Sequence, residues 1–550
     1  MKTPAICALF FTLLTGGAAN PLQQEIDLAI ARGEKQIRLK QRQYRCDSRL
    51  ELKKLDGVTI DGNGAELIRT TLSAGGILIS GCRGLTLKNL TLDFDPLPFT
   101  QGRITRIQGN QVHFQIDRGY PRLTPPYAVR QINFFEADGV RWKRLRNGDV
   151  YGPTHIVSSD SGYCVFARVP EELERGDRII LNIRSSFGIM IERSGGTTLS
   201  DLRIWSAPGV AVLGRFNLGG DLFRRIVIER GPAPSEQAAP RLISTSADGL
   251  NYAFSRPGIR LEQCDFSYMG DDSVNFHSVA LPIAYRKNGR TLDVLRQFGR
   301  ESFPETVCAG DRVRLLSAGT YEVKAEAKIA GFKLSPRNYR IADVNRFYQR
   351  NWNRAAGKFT AYEVTLDRDL EFSDGDFLDL PGLAVSDFTI RDNYFHDHRA
   401  RGLRIMSSDG VIENNRIERT KSAAISVGCE YGYWREAGWV KNIIIRNNRL
   451  KQIGRGSMTT PDSYTPGAIS VFAKLEDYSG SCRGNRNILI EKNSINGSEG
   501  AGIFVFRGDG ITIRGNQLEK VLQDKRGGGN AFPFGTPDDI WVADSAVTLQ

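Results

Sequence analysis

The chain has 550 residues, 74 Lys and Arg against 62 Asp and Glu for a formal charge of +12, and 40% hydrophobic residues with 57 Gly and 22 Pro. That length holds a large core or one long repetitive body, and the Gly and Pro content suits a turn-rich, strand-rich protein. The basic residues are spread rather than clustered, which describes a solvated surface and argues against a nucleic-acid-binding stripe.

In chain order, Met1-Lys2, the apolar run Pro4 to Leu14 and the small residues up to Ala19 have the form of a secretory leader cut near Ala19. Residues 1–19 are therefore predicted to be a signal peptide, and the mature protein to be periplasmic or secreted. No later stretch approaches the roughly 18 uninterrupted apolar residues of a transmembrane helix. Cys7 belongs to the leader. The other cysteines, Cys46, Cys82, Cys164, Cys264, Cys308, Cys429 and Cys482, are far apart and odd in number, with no CxxC pair. That spacing excludes a disulfide-built fold and a thiolate metal site, while leaving room for a disulfide or two.

The mature chain repeats one nine-residue pattern: apolar, x, apolar, x, x, Asn, x, apolar. It occurs at Val58, Ile60 and Asn63; at Phe388, Ile390, Asn393 and Phe395; and at Ile443, Ile445, Asn448 and Leu450. It returns at Ile488, Ile490, Asn493 and Ile495, at Ile511, Ile513, Asn516 and Leu518, and more weakly at Ile412, Asn415 and Ile417. Leu85 to Leu92 and Ile259 to Phe266 carry the pattern with another residue in the Asn slot. Period-2 alternation marks strands with one buried face, and a period near one coil predicts a parallel β-helix. Short second strands are predicted at 75–80, 188–192, 209–214, 423–427, 468–472 and 502–506. Recurrent Asn suits either a left-handed turn residue or amides stacked from coil to coil.

The pattern vanishes twice. The expected organisation is N-terminal coils over 20–95, an inserted β module over 96–185, central coils over 186–278, a second β module over 279–384, and C-terminal coils over 385–550. Both modules contain a strand after Gly-Asp (Gly176-Asp177 and Gly310-Asp311), which suggests a shared barrel-like plan. Lys525 to Asn530 reads as a loop.

The chemistry concentrates between Ser246 and His277. Ala247-Asp248-Gly249-Leu250-Asn251-Tyr252 and Asp271-Asp272-Ser273-Val274-Asn275-Phe276 match slot for slot, with Asp248 and Asp272 in equivalent places. One coil apart they lie about 4.8 Å from each other along the axis, beside Asp271. Stacked like charges destabilise, so a third carboxylate in such a group is better explained by function than by a turn. Crowding raises the proton affinity of at least one carboxyl, giving the general acid and the base of an inverting glycosidase; a separation of roughly 6.5 to 9.5 Å leaves room for the attacking water.

The motifs Ser246-Ala247-Asp248-Gly249, Cys264-Asp265-Phe266 and Gly270-Asp271-Asp272-Ser273-Val274-Asn275-Phe276-His277 resemble the signature of glycoside hydrolase family 110, the bacterial α-1,3-galactosidases. Asp95-Pro96-Leu97-Pro98-Phe99-Thr100-Gln101-Gly102 and Trp434-Arg435-Glu436-Ala437-Gly438 extend the resemblance. It implies a right-handed parallel β-helix with β-barrel insertions. It also implies metal-independent, inverting removal of terminal α-1,3-linked galactose from blood-group-B-type or linear glycans, with Asp248, Asp271 and Asp272 catalytic. Asn275, His277, Trp434 and Glu436 are candidates for holding the sugar; Asn251 and Asn275 equally suit a ladder, and Arg404 suits a surface strand. Three alternatives share the fold. A polygalacturonase-like hydrolase also pairs a separated Asp with an Asp pair, but its Gly-His-Gly is absent. A Ca²⁺-dependent polysaccharide lyase would use the aspartates as a cation cage. A glycan-binding adhesin would need no Asp column.

Overall fold

The computed structural model describes residues 20–550 except 123–129, 146–149, 152–160, 166–168, 300, 349–354, 356, 433, 455–465 and 524–537. The leader and the Lys525 to Asn530 loop lie outside the described residues. The body is a parallel β-helix in which a typical coil contributes three strands. Phe388–Arg391, Tyr394–His396 and Leu403–Ile405 form one coil, and they pair in parallel with Gly410–Glu413, Arg416–Glu418 and Ile425–Val427 of the next. Inward side chains stack in columns. Ile60, Leu87, Leu199, Phe223, Leu261, Ile390, Ile412, Ile445, Ile490 and Ile513 follow one another through successive registers, all essentially buried.

The Asn slot resolves into a ladder. Asn415 accepts at Oδ1 from the backbone N–H (3.1 Å) and the side-chain amide (2.9 Å) of Asn393, while its own Nδ2 donates to the Ile390 carbonyl (2.9 Å). Asn448, Asn493 and Asn516 continue the pattern. The left-handed residue is one place earlier, at Asp392, Asn414, Asn447, Lys492 and Gly515, so the ladder Asn supplies hydrogen bonds and its predecessor supplies the turn. Asn63 does not belong to this ladder. It has φ 53° beside a register shift in strand Thr59–Arg69, where Gly62, Asn63 and Gly64 stand against the single residue Asn89 and Ala65 takes the slot opposite Leu90. Toward the N-terminus the slot holds Leu90, Leu202, Ile226 and Cys264, and the Cys264 N–H donates to Asn393 Oδ1 (2.8 Å), the first rung.

A helix that the repeat did not reveal, Pro21–Ala31, precedes the first coil. Asn20 caps it by accepting from the N–H groups of Leu22 and Gln23, and Leu22, Ile26 and Ala29 are buried in the same core as the first strands. Its packing shields the end of the coil stack, where unpaired strand edges would otherwise invite association.

Between the first and second groups of coils stands an antiparallel sheet of six strands. It includes Phe99–Gln108, Gln111–Ile116, Gln131–Phe135 and Arg178–Asn182, and has its own core of Phe99, Phe114, Phe134, Ile179 and Leu181. Leu242 and Ile243, just ahead of Ser246, join that core. The second inserted module grows directly from the coil bearing Asp271 and Asp272, because strand Val274–Arg286 runs unbroken from one to the other. It pairs antiparallel with Thr291–Arg296 and Phe377–Asp379, and Arg312–Leu316, Val323–Leu334 and Thr360–Leu366 close the circuit into a barrel. Among the described residues Cys46, Cys82, Cys264, Cys308, Cys429 and Cys482 are free thiols.

Candidate active site

Strand Leu250–Ala253 pairs with Val274–Arg286 so that Asn251 faces Asn275 and Ala253 faces His277. Two residues ahead of each strand, in the preceding turn, sit Asp248 and Asp272, and the Gly249 N–H donates to the Asp272 carbonyl (2.9 Å). Asp271 turns to the same side, since one carboxylate oxygen from each of Asp248, Asp271 and Asp272 lies within 4.8 Å of the other two. The third member therefore does join the cluster. These oxygens are closer than the roughly 6.5 to 9.5 Å gap expected for an inverting pair.

Three guanidinium groups surround the trio. In the next coil Arg401 occupies the slot equivalent to Asp272, because Val274 pairs with Leu403. Its N–H and Nε donate to Asp272 Oδ1 (2.7 and 3.0 Å), and its Nη2 donates to Oδ2 (2.9 Å). Arg399 Nη2 donates to Asp271 Oδ1 (2.5 Å), and Arg184 donates to the other oxygen of Asp271. Arg184 lies where the first inserted module ends. It also donates to the Ser246 carbonyl (3.1 Å), tying that module to both turns that carry the aspartates. Asp93 and Gln101, within or next to the Asp95 to Gly102 motif, brace the same segment: Arg241 donates to both oxygens of Asp93 (2.8 and 2.7 Å), and the Leu242 N–H donates to Gln101 Oε1 (2.9 Å).

Asn251 Nδ2 donates to Asp248 Oδ2 (2.6 Å). Burial, and then the charges of Asp271 and Asp272, hold its pKa well above the carboxylate range. Burial also raises Asp272, against the opposing pull of Arg401. Asp271 and Asp272 thus face guanidinium groups, while burial and its two acidic neighbours favour the protonated form of Asp248.

The other expected residues fall out as follows. Asn251 and Asn275 stack in the outward column but do not ladder: each leaves its Oδ1 buried and without a partner among the described residues. His277 is buried, donates from Nδ1 to the Ser278 carbonyl (2.8 Å), and is driven down to about 3 by burial and then by Arg215. It is neutral at ordinary pH, so its 3.7 Å approach to Glu436 is neither an ion pair nor a hydrogen bond. Glu436 sits in the two-residue strand Glu436–Ala437, paired with Ser278 and Val279. Burial and the nearby Glu430 charge push it up to about 7, and the charge of Asp272 adds to the rise. Trp434 lies in the turn ahead of that strand, 44% exposed. Arg404 is no surface arginine: it is 2% exposed, in register with Asn275, and bonded to Ser426 Oγ (2.9 Å) and Glu430 (3.1 Å). The sequence reading missed Arg184, Arg399, Arg401 and Glu430. Arg399-Ala400-Arg401 does stand ahead of strand Leu403–Ile405 as Asp271-Asp272 stands ahead of Val274, a signal visible only once the second insertion is excised.

Fold and site together define a parallel β-helix protein with an aspartate–arginine cluster in the turns that precede strands Leu250–Ala253, Val274–Arg286 and Leu403–Ile405. Residues 383–524 match the family model described as right handed beta helix region. The chain is 22% identical to alpha-1,3-galactosidase B of Phocaeicola vulgatus, over 84% of this chain and 77% of that protein. It is 23% identical to alpha-1,3-galactosidase A of Bacteroides fragilis, over 88% and 77%, and 21% identical to alpha-1,3-galactosidase B of Akkermansia muciniphila, over 90% and 60%. The resemblance to the bacterial α-1,3-galactosidases of glycoside hydrolase family 110 is thus borne out along most of the chain.

Proposed function

We propose that this protein is an inverting exo-α-galactosidase that hydrolyses terminal α-1,3-linked galactose in blood-group-B-type or linear glycans, acting in the periplasm or outside the cell. The observation that carries the reading is the trio itself, a buried carboxyl held above the ordinary carboxylate range beside two ion-paired ones. One member protonates the leaving oxygen while an ionised member draws the proton from water as it attacks the anomeric carbon. A trio loosens the spacing rule for two carboxyls, because two members can hold the water jointly while the third serves as acid. The unpaired Oδ1 atoms of Asn251 and Asn275 suit sugar hydroxyls, which would supply the donors these buried acceptors lack. The same surroundings disfavour a Ca²⁺ cage, since a cation would have to displace the guanidinium groups that already pair with Asp271 and Asp272.

The test is galactose release from α-1,3-galactobiose and from the fucosylated B trisaccharide, with NMR of the freshly released sugar. Initial β-galactose is expected; initial α-galactose would replace inversion by retention, and no release would remove the reading. Activity is expected to survive dialysis against chelator unchanged, whereas a Ca²⁺-dependent lyase would stop.

The pH profile carries a further expectation. Above pH 7 ionised Glu436 stabilises the proton on the trio, so Glu436→Gln should let that proton leave earlier. The alkaline limb of kcat is expected to move to lower pH by less than about one unit. An unmoved limb would place Glu436 outside the electrostatics of the reaction.

A further inference from the structure

One coil beyond Arg399, in the same turn column, stands Lys421. Leu403 pairs with Ile425, and counting back along both turns sets Lys421 beside Arg399; the Lys421 N–H donates to the His398 carbonyl (3.2 Å). The Lys421 side chain is buried, with 7% of the residue exposed, yet no carboxylate or carbonyl pairs with its ammonium among the described residues. Arg401, Arg399 and Lys421 thus form a pile of cations in successive positions. Burial and its cationic neighbour lower each of the last two, Arg399 to about 9 and Lys421 to about 7. Arg401 has Asp272 and Arg399 has one oxygen of Asp271, whereas Lys421 has no acid.

Burying an unpaired ammonium beside a guanidinium costs several kcal/mol. A turn with no ligand to bind gains nothing by it, and a leucine or threonine would serve there. We propose that Lys421 and Arg399 form an oxyanion subsite beside the aspartate trio, which takes a sulfate ester or a carboxylate carried on the glycan next to the galactose being removed. The inference rests on the glycosidase reading and narrows its substrate class to acidic glycans. An arriving oxyanion supplies charge-assisted hydrogen bonds to two cations that repel each other in the free protein.

The experiment has a binding arm and a turnover arm. In the first, the melting temperature is measured in sodium sulfate and in sodium chloride at matched ionic strength, for wild type and Lys421→Met. Sulfate is expected to raise wild type above its chloride value and to leave Lys421→Met at its own chloride value. In chloride the variant should melt at or above wild type, since it has lost an unpaired buried charge, which excludes misfolding as the cause. In the second arm, kcat/KM is compared for α-1,3-galactosides bearing a neutral, a sulfated or a uronic acid neighbour. The acidic-to-neutral ratio is expected to fall about tenfold in Lys421→Met, and the larger fall between the two acids identifies the natural oxyanion. Equal sulfate stabilisation of both proteins, or of neither, overturns the subsite. A Lys421-dependent sulfate shift without any α-galactoside turnover would instead overturn the glycosidase reading and leave the subsite standing.

Discussion

Asp248→Asn is expected to lose about three orders of magnitude in kcat and yet to melt higher than wild type, by a margin that widens with pH. The activity loss follows if the proton of the trio rests on Asp248, because an amide neither donates that proton nor takes it back. The stability gain follows from the raised folded-state pKa. A carboxyl that holds its proton more tightly in the folded state than in the unfolded chain favours folding below the ordinary carboxylate range. That advantage is lost as pH rises from there through the raised value, where the folded state must accept a third charge among Asp271 and Asp272. Asparagine cannot ionise, so it escapes this penalty. The neighbouring column member behaves oppositely. Asp272→Asn should lose activity as severely but melt lower than wild type, because Arg401 is left with half its bidentate partner in a buried site. Melts from pH 5 to 9 with steady-state assays on the same preparations check both. A lower melting temperature for Asp248→Asn at pH 8, or retained turnover, would move the proton elsewhere in the trio. Roles within the trio separate chemically: the acid is the member whose Asn variant still cleaves 4-nitrophenyl α-galactoside, whose leaving group needs no proton, and the base is the one rescued by azide.

The coil repeat was legible because its cause is local. Alternating Ile and Leu fix which face is buried, and Asn393, Asn415, Asn448, Asn493 and Asn516 recur wherever a coil must bond to the next at one corner. Asn63 carried the same letters with a different cause, a bulge of three residues against one, and only the register with Leu90 separates the two. A second polar ladder was invisible, since its rungs change type: the Cys82 N–H donates to Ser194 Oγ, Ser194 N–H to Asn217 Oδ1, and Asn217 N–H to Ser255 Oγ. The aspartate register came from two adjacent coils and needed no long-range knowledge. The arginines that finish the site are far from it in sequence, Arg184 on one side across a turn-rich stretch and Arg399 and Arg401 beyond a whole barrel. Their contacts depend on how the insertions return the chain to the coil stack, and local pattern does not encode that. Arg404 was misjudged for a related reason: the loop carrying Glu430 and Glu436 folds over the strand and buries it.

If the Asn ladder holds the coils and the aspartate–arginine turn performs the chemistry at a different corner, damage to the ladder should cost stability alone. Asn448→Ala is the sharpest case. It removes the acceptor of the Asn415 N–H and Nδ2 (3.0 Å each) and the donor to the Ile412 carbonyl (3.0 Å), all inside the core. Each buried group left unsatisfied costs about 1 to 3 kcal/mol, so a loss of about 3 to 5 kcal/mol is expected once partial relaxation is allowed. Asn516→Ala, at the last rung and partly exposed, should cost about 1 kcal/mol, because water can reach the groups it abandons. Urea titration followed by far-UV circular dichroism gives both values. Separate transitions for the two ends of the coil stack would themselves be informative, since coils contact only their neighbours and cooperativity can break between them. Below its transition Asn448→Ala should turn over α-1,3-galactobiose at the wild-type rate, since no ladder residue is among the groups contacting Asp248, Asp271 or Asp272. A folded Asn448→Ala with reduced kcat would mean that the ladder sets the register of the catalytic turns as well, and that the fold and the site are mechanically one.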